Sequence, residues 1–126
     1  MKNLIIGAAL LTAPCVTVAE QIEEYKTFGR CSFFAKQLYY FGSEKVFTFA
    51  AIEAHKIAYP KIPYIDAKLN VKHERGFAEG LIWAISTEDN FKIKIREIYP
   101  KMCGDMVLNY ALSLAQQYLK GASNGT

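Results

Sequence analysis

Cys31 and Cys103 stand near opposite ends of the chain, and a bridge between them would hold its early and late segments side by side. Whether they join depends on the compartment, and the N-terminus bears on that. Met1, Lys2 and Asn3 precede an apolar run from Leu4 to Leu11, and Thr17 and Ala19 set small residues three and one positions before Glu20. A charged end, a short hydrophobic stretch and a small-x-small site are the parts of a cleaved secretory signal. The run is shorter than the roughly 20 apolar residues of a spanning helix, so residues 1–19 are expected to be a removed leader, leaving no transmembrane anchor. Cys15 lies inside that leader, and the Thr12, Ala13 and Pro14 before it do not make a lipid-attachment box. Export, to the periplasm or outside the cell, leaves Cys31 and Cys103 as the only thiols and favours their pairing. No Cys-x-x-Cys is present, so the expected role of the pair is structural.

Taking the 19 leader residues from 126 leaves 107, enough for one hydrophobic core and too few for two. The expectation is a single domain over residues 20–121 with a loose tail at 122–126. The formal charge is +3, and Lys2 is the only charge in the leader, so about +2 remains on the domain. That bias is too small to argue for nucleic acid, and no basic run carries interleaved aromatics.

Spacings of three and four predict an all-α bundle of four to five helices. Ile22, Tyr25, Phe28, Cys31, Ala35 and Leu38 predict a first helix from Glu20 to about Phe41, ended by Gly42 and Ser43. A second runs from Glu44 to about Tyr59 on Phe47, Ala50, Ala51, Ala54, Ile57 and Ala58, until Pro60 and Pro63 stop it. The third reaches from near Asp66 to Ser86, with Leu69, Phe77, Leu81, Ala84 and Ile85 as its inner face and Gly76, Gly80 and Ala84 as a groove for a close helix crossing. Phe91 to Arg96 alternates like a strand, but a strand there lacks a good partner, so a short helix from Asn90 to Tyr99 ended by Pro100 is preferred. A last helix is capped by Asp105, faces the core with Leu108, Ala111, Leu112, Ala115 and Leu119, and ends at Gly121.

Chemistry is sparsely signalled. His73, Glu74 and Glu79 form the densest ionisable cluster, and an enzyme using His73 with Glu74 or Glu79 is the alternative reading. Phe77 stands where a zinc helix of the His-Glu-x-x-His kind needs its second histidine, so no metal site is expected, nor any cofactor. There is no Gly-x-Ser-x-Gly elbow and no phosphate-binding glycine loop. Two surfaces suit a partner protein instead. Phe33, Phe34, Tyr39, Tyr40 and Phe41 exceed what one helix stripe buries, and Phe33 and Tyr40 are taken from them as contact residues. Lys92, Lys94, Arg96 and Lys101 form a basic segment opposed only by Glu97, suited to an acidic partner protein or the anionic face of a membrane, with Lys92, Lys94 and Arg96 taken as contact residues.

Cys31, Gly76, Phe77, Gly80 and Cys103 together resemble two kinds of small exported helical protein. One is the periplasmic immunity proteins that neutralise type VI secretion amidases, and the other is the periplasmic acid-stress chaperones, from which the wide cysteine spacing departs. The resemblance implies a bacterial or phage periplasmic protein, an inhibitor or immunity-type factor that acts by binding rather than catalysis. It assigns no contact residue.

Overall fold

Helical spacing, interrupted by two prolines and two turns, gives five α-helices in a computed structural model that describes residues 18–123, with no strand among them. They are α1 (Val18–Gln37), α2 (Phe41–Ala58), α3 (Tyr64–Ile85), α4 (Phe91–Met102) and α5 (Asp105–Ser123), with a short 3-10 turn at Glu88–Asn90 before α4. All but the last two positions of the expected leader, Cys15 included, lie outside the described residues, as do the last three positions of the expected tail. α1 and α2 form the central pair: α1 packs against α2, α3 and α4, and α2 against α1, α3 and α5. Cys31 in α1 and Cys103, just after α4, form the expected disulfide, with 5.8 Å between their α carbons.

The central position of α1 explains where its aromatics go. A helix at the edge of a bundle buries one stripe, but α1 buries Tyr25, Phe28, Cys31, Phe33, Phe34 and Ala35 because it has neighbours on several sides. Several polar groups drawn inside are paired. The Tyr110 hydroxyl of α5 donates to Glu24 Oε1 at 2.8 Å, and burial, with this carboxylate beside it, pushes the Tyr110 phenol well above its ordinary range. Ser32 Oγ lies 2.6 Å from Thr48 Oγ1, which itself donates to the Glu44 carbonyl at 2.8 Å.

Several boundaries differ from expectation. α1 ends at Gln37 in a Schellman turn: the Tyr39 N–H bonds the Lys36 carbonyl at 3.1 Å and the Tyr40 N–H the Ala35 carbonyl at 2.8 Å. α2 therefore starts at Phe41, and Gly42 and Ser43 lie in its first turn instead of separating the helices. Pro63 is the N-cap of α3, and the turn before it is tied by Lys56 Nζ to the Pro60 and Ile62 carbonyls at 2.9 and 2.7 Å. Pro100 lies inside α4 without ending it, since it removes only its own N–H while the Cys103 N–H still reaches the Tyr99 carbonyl at 2.7 Å. α5 continues through Gly121 to Ser123.

The faces of the outer helices are also turned. α3 buries Ala67, Val71, Ala78 and Ile82, and the expected inner residues Leu69, Phe77, Leu81, Ala84 and Ile85 are exposed. On α2, Ile57 faces out and His55 faces in; on α5, Leu114 and Tyr118 are buried in place of Leu112 and Leu119. Gly76 and Gly80 are not a helix crossing, because a Cβ at either would meet nothing within 4 Å. The close approach uses Gly29 of α1, where a Cβ would stand 2.9 Å from Glu74 Cβ.

The two kinds of glycine predict opposite outcomes for one substitution. Overpacking costs about 1–3 kcal/mol, and alanine returns about 1 kcal/mol of helix propensity, so Gly29→Ala is expected to destabilise by about 1 kcal/mol. Gly80→Ala meets no neighbour and is expected to stabilise by about 1 kcal/mol. Urea titrations of the two variants at micromolar concentration check both signs; a stabilised Gly29→Ala protein would contradict the α1 and α3 crossing.

Candidate functional site

The Schellman turn sets up the site. Its left-handed position, which usually holds glycine, is filled by Tyr39 at φ 64°, a conformation that costs an L-residue roughly 1–2 kcal/mol. Having put Tyr39 there, the backbone leaves Tyr39, Tyr40 and Phe41 projecting in succession, and all three are more than half exposed. Tyr39 and Phe41 meet edge to face at 6.1 Å.

The first turns of α4 lie beside this aromatic corner. Lys92 Nζ donates to the Tyr39 hydroxyl at 2.7 Å and sits 4.3 Å from the centre of its ring. The hydrogen bond, reinforced by the lysine charge, holds the Tyr39 phenol below its ordinary value. Arg96, one turn on from Lys92, lines a groove of about 560 Å³ with Leu38, Tyr40, Ser43, Tyr99 and Asp105. Tyr40 leans on Tyr99 with ring centres 5.6 Å apart. Burial raises the Tyr99 phenol above its usual range, with the Ser43 hydrogen bond pulling the other way, so the groove wall is a neutral hydroxyl. Arg96 is exposed and has no ion pair among the described residues.

Of the residues proposed from sequence, Tyr40, Lys92 and Arg96 therefore come together. Lys94 does not: two residues from Lys92 it is turned about 200° away around the helix, and it pairs with Glu97 at 3.8 Å. Phe33 is a correction. It is only 6% exposed, because α1 is surrounded, and it lines the floor of a second depression instead. That depression, of about 790 Å³ between α1, α2 and α3, has an apolar floor of Ile52, Val71 and Tyr118 with Lys36, Lys68 and Lys72 at its rim. Its Arg75 is held by Glu44 at 2.8 Å. Tyr39, Ser43 and Tyr99 are site residues that the sequence reading did not assign; no local pattern marks a tyrosine for a left-handed turn, and Gly42, the usual signal, lies three positions too late.

The enzyme constellation is not assembled. His73 is exposed, Glu74 turns about 100° away to meet Arg30 of α1 at 3.3 Å, and Glu79 lies about 120° away on the other side of the helix. The buried histidine is His55, whose Nε2 lies 2.9 Å from Asn70 Nδ2 and whose ring meets Tyr25 at 4.7 Å. Burial, with Lys56 nearby, lowers its pKa and favours the neutral ring. Among the described residues no three His, Cys, Asp or Glu side chains are grouped to hold a metal ion, and no helix is long and apolar enough to cross a membrane.

Comparison of the chain with protein-family models, with curated proteins and with solved structures finds no match. The function must therefore be argued from the aromatic and basic corner itself.

Proposed function

We propose that this chain is an exported, non-enzymatic binding protein of the inhibitor or immunity type, which grips a partner protein in the periplasm or outside the cell with the corner made by Tyr39, Tyr40, Lys92 and Arg96. The carrying observation is Tyr39 itself: an exposed tyrosine is kept in a left-handed conformation with its hydroxyl on Lys92, a strained arrangement that contributes nothing to the core. Tyrosine and arginine are the side chains that most often dominate a protein interface, and here they border one groove. Two cations, neither in an ion pair among the described residues, outnumber the one acid of the groove, Asp105, and suit an acidic segment of the partner. The disulfide supports export, since such bridges persist in oxidising compartments.

The test uses immobilised protein and extract from the periplasm of the source cell. A protein retained by the wild type is expected to be lost from Tyr40→Ala and Arg96→Glu, each costing at least about 2 kcal/mol of binding. Tyr39→Gly gives the sharper result: relief of the left-handed strain is expected to stabilise the fold by about 1 kcal/mol, while partner retention falls. Retention unchanged in all three variants, or no partner retained even at low salt, would overturn the proposal.

A further inference from the structure

The outer side of α3 carries the largest run of exposed apolar residues on the described surface. At about 100° per residue, Ile65, Leu69, Gly76, Gly80 and Trp83 fall within about 60° of one another, opposite the buried Ala67, Val71, Ala78 and Ile82. Phe77 flanks them, and the large side chains of this face are between 45 and 70% exposed. Apolar patches of this extent on a soluble domain mark contact surfaces. The space above Gly76 and Gly80 is empty to 4 Å, so another backbone can come close there.

The charges on this face choose its occupant. Lys72 and Glu79 lie on one flank of the face, about two helical turns apart, and neither is in an ion pair among the described residues. When two copies of a helix cross antiparallel about a two-fold axis, each flank faces the same flank of the other copy with its direction reversed. A lysine and a glutamate on one flank then pair twice. A parallel pair would set this flank against the opposite one, that of His73 and Phe77, and would bring no Lys72 to a Glu79. A crossing centred on Gly76 brings Lys72 of each copy to Glu79 of the other and stacks Leu69 of each against Trp83 of the other.

We propose that α3 is the contact helix of a symmetric antiparallel homodimer, centred on Gly76 and closed by two Lys72 to Glu79 ion pairs. The pairing uses no residue of the aromatic and basic corner, so it stands or falls apart from the binding function.

The full chain, purified with its disulfide formed, is the material for the test. Sedimentation across a range from low micromolar to submillimolar is expected to show a shift to twice the monomer mass. Trp83 is the only tryptophan, so its emission reports on this face directly and should move to shorter wavelength as the dimer forms. Leu69→Glu, at an exposed position, is expected to remove both changes while melting like the wild type. Lys72→Glu and Glu79→Lys are each expected to weaken the dimer about tenfold, since each converts two attractive pairs to repulsive ones, and the double swap should restore it. A monomer at every concentration, a dimer indifferent to Leu69→Glu, or a double swap no better than the single reversals would overturn the proposal.

Discussion

Reducing the Cys31 to Cys103 bridge is expected to remove about 4 kcal/mol of stability, the chain-entropy cost of opening a loop of this length. The two cysteines are 72 positions apart, so the bridge restrains most of the domain in the unfolded state. A domain of about a hundred residues has roughly 5–15 kcal/mol in all, and this single bond therefore supplies a large share. The geometry says which part suffers. Cys103 sits at the junction of α4 and α5, and the bridge fastens that junction to the middle of α1. Without it, α4 is held by buried Ile95, by Ile98, Tyr99 and Met102 packed against the core, and by the ring contact of Phe91 with Trp83 at 4.3 Å. Urea titrations of oxidised and reduced protein measure the loss with all atoms but the bond unchanged. Cys31→Ala with Cys103→Ala is expected to lose somewhat more, because two buried sulfur atoms go as well. A reduced protein within about 1 kcal/mol of the oxidised one would mean that the loop-closure account fails here.

Helix type, helix number and the bridge were legible because each follows from local spacing or from the count of thiols. Which face turns inward was not, and α3 shows why. Leu69, Phe77 and Leu81 and the set Val71, Ala78 and Ile82 both recur at helical spacing, and size favoured the first. The crossing with α1 selected the second: Gly29 meets Glu74 Cβ and the Val71 carbonyl, which turns the side of Val71, Ala78 and Ile82 inward. Phe33 failed for a related reason: amphipathic reasoning assumes one buried side, and α1 has several. The site was legible in halves. The aromatic excess at Tyr39 to Phe41 and the basic run at Lys92 to Arg96 are visible in sequence as separate surfaces, more than fifty positions apart. Their meeting depends on the Schellman turn at Tyr39 and on where the bridge holds α4, neither of which leaves a local mark.

Phe47→Ala should have an effect as large as loss of the bridge, about 3–5 kcal/mol, and it should reach the binding corner as well. Phe47 is fully buried where α2 meets α1 and α4, stacked on Phe28 at 6.2 Å and edge-on to Tyr99 at 6.4 Å. Removing the ring leaves a cavity that close-packed neighbours fill only in part, which is why the cost exceeds the transfer energy of the lost atoms. Tyr99 is the residue most free to move into that space, since its other side borders the groove. Its shift would withdraw the support on which Tyr40 leans and change the angle at which Tyr40 meets a partner. Phe47→Leu separates the two consequences. It keeps most of the volume, so the destabilisation should be smaller, while Tyr99 still loses its edge-on neighbour and partner retention should fall. Urea titration and partner capture on the same preparations read stability and binding side by side. A Phe47→Leu protein that binds like the wild type would show that Tyr99 is held by Ser43 and Tyr40 alone, and that the corner is built independently of the core beneath it.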